Sequence, residues 1–304
     1  MSGQVHSIPT ASSNQAGVPL AGKNAYPYAL CAIAALLTII YYVPFKRMLW
    51  VWNAPDTYYS HGFLIVPISL FVVWVKRKEL LAAPRKTSLL GYPIILFGAF
   101  TLILGDFLSF NVITQVSFLP IITGLLLLFI GAERTKIIWF ALFFLLLMIP
   151  IPPSLTQSVA LNLKLFAARI AVVLANASTL TMVNEGSFIY FKEDQLLVGE
   201  VCGGLRSLIA LFSIGVLMAY FSKTTNWARL TVLALCGPIA IAANIFRIYI
   251  LCVVAYFWGS PLASGKFHDI SGVLIYAVAF MLFFMLEALL RRIASVPPEK
   301  EAAQ

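Results

Sequence analysis

Apolar runs, each close to the ~20 residues a helix needs to cross a bilayer, follow one another along almost the whole chain. Inside lipid every backbone N–H and C=O must be bonded within the protein, which leaves helices or closed barrels. The runs are continuous rather than alternating, so helices are expected. Only 11% of residues are charged, against roughly 25% in soluble domains, too few to clothe a globular surface. The fold expected is an all-α integral membrane protein with about eight transmembrane helices.

The spans read at Tyr26–Phe45, Gly62–Val75, Leu89–Leu108, Val112–Gly131, Ile137–Pro150, Leu205–Phe221, Leu230–Trp258 and Ile270–Leu290. Gly237-Pro238 predicts a kink in the seventh, or a start displaced into the bilayer. Residues 1–25 are polar and read as a disordered cytoplasmic N-terminus, residues 26–292 as one membrane domain, and residues 293–304 as a cytoplasmic tail. The net charge of +9 comes from Lys and Arg that flank apolar runs. They read as topology signals and contacts to membrane lipid, not as a nucleic-acid surface.

Orientation follows from those cations. Lys76-Arg77-Lys78 with Arg85-Lys86 is the densest basic loop and is expected on the cytoplasmic side. Arg134, Lys136, Lys223, Arg229, Arg291 and Arg292 fall on the same side, and Lys46-Arg47 are the exception. Residues Ser154–Leu180 carry Asn162, Lys164, Arg169 and Asn176, all costly at mid-bilayer. Leu155, Val159, Phe166, Ile170 and Val173 recur at helical spacing. The expectation is an amphipathic helix on the outer face, packed on the bundle through that stripe. A small hairpin follows between spans five and six, its runs flanking Glu193-Asp194-Gln195.

Three polar motifs then fall on the outer side. Cys202-Gly-Gly-Leu-Arg206 opens the sixth span, where a helix N-terminus and Arg206, four residues on, would lower the thiol's pKa. A buried structural cysteine beside packing glycines is the alternative. Asn244-Ile-Phe-Arg247 lies within the seventh span, where an ionisable residue marks function by default; the alternative is an arginine that snorkels or pairs with an acid such as Asp106. His268-Asp269 precedes the last span, with Asp269 either supporting the site or capping the helix. His61 opens the second span on the same side. A thiol, a guanidinium and an imidazole facing one pocket supply a nucleophile, an oxyanion stabiliser and a general acid/base. Neither a metal nor a cofactor is expected, because no ligand spacing appears. Cys31, Cys236 and Cys252 lie in apolar runs as small hydrophobes.

Val-Cys-Gly-Gly-Leu-Arg at 201–206, Asn-Ile-Phe-Arg at 244–247, Phe-His-Asp at 267–269 and Tyr-Ser-His-Gly-Phe-Leu at 59–64 resemble, in order, the signature segments of the exosortase/archaeosortase family. The family often has Ser where Gly203 stands. The resemblance implies a multi-pass membrane cysteine protease/transpeptidase of the plasma membrane, acting at its outer face. It implies catalytic roles for Cys202, Arg247 and His268, with Arg206, Asn244, His61 and Asp269 supporting or binding substrate. Its substrates would be exported proteins ending in a short motif, a transmembrane helix and a basic cluster. Transfer would go to an amine-bearing acceptor or to water. Gly91, Gly98 and Gly105, spaced by seven, are read as a surface where the substrate's helix approaches closely. The rival class is a transporter or channel subunit with Arg247 and His268 lining a solute path. It requires polar residues spread through several spans, whereas here they gather at one face.

Overall fold

The computed structural model describes residues 25–55, 57–199 and 203–294, with backbone only at 25–27, 29, 30, 266, 268 and 269. The chain divides into two units at Pro44; the described part of the first is helical up to Val43. The cavities and the candidate site described below all lie in the second.

The helices are α1 (Ala25–Asn53), α2 (Gly62–Val75), α3 (Arg77–Ala82), α4 (Gly91–Phe107), α5 (Asn111–Val116), α6 (Phe118–Phe129), α7 (Ala132–Ile137) and α8 (Trp139–Phe144), the last continued by a 3₁₀ turn to Met148. Then come α9 (Pro153–Ala177), strands β1 (Val183–Glu185), β2 (Phe188–Phe191) and β3 (Asp194–Leu197), and helices α10 (Leu205–Phe221), α11 (Asn226–Trp258), α12 (Ser260–Ser264) and α13 (Lys266–Ala294). This is an all-α membrane architecture. Among the described residues five helical stretches are long and apolar enough to cross a membrane, and four shorter ones are apolar too. Outward faces are greasy, as on α4, where Leu96, Phe100, Ile103 and Phe107 are exposed. Pro238 is carried inside a continuous α11.

Alternate helix ends meet at one face. The end of α1, the α1–α2 loop, the α4–α5 connection and the segment from Pro150 into α9 line a single cavity of about 650 Å³. That is the up-and-down alternation that short connections between apolar helices require.

Two expectations need correction here. The bulky residues of α9 do not pack on the bundle: Leu155, Val159, Phe166 and Val173 are exposed. The face buried against α11 is instead Ala167, Ala168, Ala171 and Ala175, because small residues let backbones approach closely where lipid removes the hydrophobic drive between helices. α9 is itself one of the five stretches long and apolar enough to cross a membrane, yet the segment that begins with it returns to where it starts. Its first turn lines the same cavity as Thr57, and Arg206, in the first turn of α10, donates from Nε to the Thr57 carbonyl at 2.8 Å. The excursion from Pro153 to Gly203 starts and finishes at one face.

The stripe Gly91, Gly98 and Gly105 is likewise not open. A Cβ at Gly91 would lie 2.5 Å from the Gly124 carbonyl, one at Gly98 2.5 Å from Ile121, and one at Gly105 2.6 Å from the Thr114 nitrogen. The stripe seats α6 and α5, so no substrate helix approaches there.

The expected hairpin is β2–β3, turning at Lys192–Glu193, but β1 adds a third antiparallel strand. Asn176, costly in a bilayer, ends α9 by bonding both backbone groups of Met182 at 2.8 and 3.0 Å. Ile189, Phe191, Leu196 and Val198 join the core that includes Ile248, Leu251 and Cys252 of α11. Asp194 accepts from the Ser260 backbone at 2.9 Å and its hydroxyl at 2.8 Å, and Lys192 donates to the Tyr256 carbonyl at 2.9 Å. The sheet is thus clamped over the last third of α11, the part that follows Arg247.

Candidate functional site

Glu200, Val201 and Cys202 lie outside the described residues. The residue bonded to Cys202 is Gly203, which is buried with its α-carbon against the Ala160 carbonyl of α9; a Cβ there would lie 3.0 Å from that oxygen. Gly204 is left-handed at φ +72° and caps α10. An L side chain there would be strained, and its Cβ would also lie 2.9 Å from Asn244 Cγ. The glycine pair therefore fits between α9 and α11, and the second sits directly on Asn244.

Asn244 and Arg247 stand one turn apart on α11 and are both 6% exposed. Burying an arginine among membrane helices costs about 2.5–3.5 kcal/mol on insertion scales, so a partner surface is needed. That surface includes Gly272 on α13: a Cβ there would lie 3.0 Å from Arg247 Nη2 and 3.3 Å from Cζ. The guanidinium lies against α13 at a point where that helix has no side chain. Position 268 is one turn earlier on the same stripe of α13, and the side chains of His268 and Asp269 are not among those described. The helix begins at Lys266, so His268 and Asp269 lie within its first turn rather than before it, and Asp269 is not its N-cap. Three motifs far apart in sequence thus converge through Gly204 on Asn244 and Arg247 on Gly272.

Arg206 lies in the first turn of α10, which starts at Leu205 after a left-handed residue. Its Nε is spent on Thr57, which ties the start of α10 to the α1–α2 loop. His61 is half-buried just before α2, with Nε2 3.3 Å from the Leu147 carbonyl and its ring beside Tyr59. Burial holds its imidazole below the ordinary histidine range, opposed by the Leu147 and Tyr58 carbonyls. Tyr59 accepts the Ile151 N–H at 3.1 Å, Trp52 Nε1 donates to the Met148 carbonyl at 3.1 Å, and Gly62 fits under the Trp52 indole. Burial pushes the Tyr59 phenol up. The early motif therefore grips residues 147–151, the segment that launches α9.

Gly272, Thr57 and Ala160 were not foreseen as site residues. Only Gly272 left a signal, four residues beyond His268 on one helical face. Among the other cysteines, Cys236 and Cys252 are buried in α11 and Cys31 is exposed on α1. A family model described as Transmembrane exosortase (Exosortase_EpsH) matches residues 50–285, a range that contains every residue of this corner. No curated protein matches the chain, and no solved structure does.

Proposed function

The chain belongs to the transmembrane exosortase family, a family of membrane cysteine transpeptidases, and from that premise we propose that it cleaves the C-terminal sorting tails of exported proteins at the outer membrane face. The Cys202 thiolate attacks the scissile carbonyl, and Arg247 hydrogen-bonds the oxygen that becomes negative. The C–N bond breaks as His268 gives its proton to the leaving amine. The released piece is the substrate's own transmembrane helix with its basic tail. The acyl group, held as a thioester, then passes to an amine-bearing acceptor or to water, which yields its proton to His268 as the thiolate departs. Asn244 holds the Gly204 turn, Arg206 anchors the loop to Thr57, and His61 and Asp269 support the surrounding segments. The outer-face setting rests on the Lys/Arg asymmetry of the other loops, and the plasma-membrane setting on the family resemblance.

The observation that carries this reading is the convergence of Gly204 on Asn244 and of Gly272 on Arg247. A solute path would need polar groups along several spans, whereas this polar cluster is confined to one corner. The test is Cys202→Ala in the full chain, with an exported protein of the same genome that ends in an apolar span and a basic tail. Processing is expected to vanish while the variant inserts and melts as the wild type does. Full processing by the stably inserted alanine variant would rule the cysteine mechanism out.

A further inference from the structure

The stripe of glycines on α4 is filled, so a tail with its own membrane helix needs another seat. We propose that it is the intramembrane cleft between α1, α2 and α8, an inference that rests on the transpeptidase reading above. The cleft measures about 520 Å³, and its wall includes Met48, Trp52, Ser69, Val73, Leu142 and Met148. Each helix gives a stripe at three- and four-residue spacing, the pattern that receives the ridge of a further helix. On α2 the stripe runs from Val66 to Val73, about 10 Å or two turns. At the rim Leu49 and Leu70 are exposed, so the cleft opens sideways to lipid, the direction from which a membrane-anchored tail arrives.

Two observations favour a helix over a lipid chain. Ser69 is 4% exposed, and its hydroxyl has no hydrogen-bond partner among the described residues. A serine in a helix normally donates to the carbonyl one turn back, and a lipid chain offers nothing in exchange. A helix that brings a serine, threonine, asparagine or glutamine to that level does, as polar contacts between membrane helices do. The second is continuity with the site. The cleft ends where Trp52 donates to the Met148 carbonyl, and residues 150–153 beyond it line the 650 Å³ cavity. Thr57 and Thr156 of that cavity lead to the Gly203–Gly204 turn, the first through Arg206 and the second one turn before Ala160 on α9. A helix seated in the cleft therefore delivers the chain that precedes it toward Gly203, the residue bonded to Cys202.

A photoreactive side chain at Leu70 or Leu142 of the Cys202→Ala chain, in vesicles with the tail-bearing exported protein, tests this. Leu96 on the outward face of α4, 70% exposed, is the control. Crosslinks to the tail from Leu70 and Leu142 and none from Leu96 are expected. In the otherwise native chain, Leu70→Trp should raise KM for that substrate about tenfold, and Leu96→Trp should leave it unchanged. Equal crosslinking from Leu96, or adducts with lipid alone from the cleft, overturns the assignment. If the native chain cleaves the tail but the cleft gives no crosslink, only the docking site is wrong. If the native chain never cleaves it, the transpeptidase reading fails instead.

Discussion

The α4–α6 pair and the corner where α10, α11 and α13 meet both depend on glycines, and what each set admits is different. On α4, Gly91, Gly98 and Gly105 receive the backbone and aliphatic atoms of α5 and α6. At the corner, Gly204 receives the amide of Asn244 and Gly272 the guanidinium of Arg247. The first set holds two greasy helices together. The second makes room for buried polar groups that a membrane protein otherwise avoids. Glycine spacing alone therefore does not report function; the chemistry of the group placed against the glycine does.

The contrast can be broken by substitution. If the corner performs chemistry, His268→Ala should lower the processing rate by roughly 10²–10⁴, the range for loss of a general acid/base, and flatten the pH profile. An unchanged rate and profile would reduce His268 to a helix-end residue. Arg247→Lys keeps the charge but not the planar fork, so it should lose a few hundredfold, as one lost oxyanion donor does, and fall close to Arg247→Ala. Near-normal processing by the lysine variant, with a destabilised alanine variant, would make Arg247 a structural ion.

The glycines themselves give the sharpest pairing. Gly272→Ala puts a methyl 3.0 Å from Arg247 Nη2, where a flexible side chain can yield by a fraction of an ångström. Its rate should drop about tenfold, since small misplacements weigh heavily on catalysis, with little change in melting. Gly91→Ala meets a carbonyl at 2.5 Å, which cannot yield. It should cost about 1–3 kcal/mol of stability, the usual price of overpacking, with the rate per folded molecule unchanged. The reverse assignment of the two effects would erase the distinction.

The smallest effect concerns His61, whose burial depresses its folded-state pKa. The unfolded chain then holds the proton more readily, so this contribution is complete above the ordinary histidine value and is lost as pH falls through the lower folded one. Melting temperature should decline between about pH 7 and about pH 5 in the native chain and less so in His61→Gln. Equal declines would mean that charging His61 does not load the fold.

Much of this was legible in sequence because membrane spans announce themselves by length. Gly62–Val75 and Leu205–Phe221 match observed helices at both ends, and the four motifs stand out because polar residues are scarce among them. What was hidden depends on partners distant in sequence. The inward face of α9 is alanine and not leucine, because lipid accepts the bulky side chains that water would drive inside. The bond from Arg206 to the Thr57 carbonyl was hidden because its partner lies 149 residues away. The glycines of α4 looked vacant because nothing in their own sequence names α6 as the occupant. β1, three residues long, is too short for alternation to show.

The contact between Arg247 and Gly272 also sets a schedule. The surface that receives the guanidinium lies on α13, 25 residues beyond it on the chain. During synthesis, which runs from the N-terminus, α10 and α11 are made before that surface exists. A nascent chain halted after Trp258 would hold the cysteine and the arginine without the helix that bears His268. If the corner is the catalytic site, its completion is then a late event of biogenesis, after the preceding helices have been laid down in the bilayer.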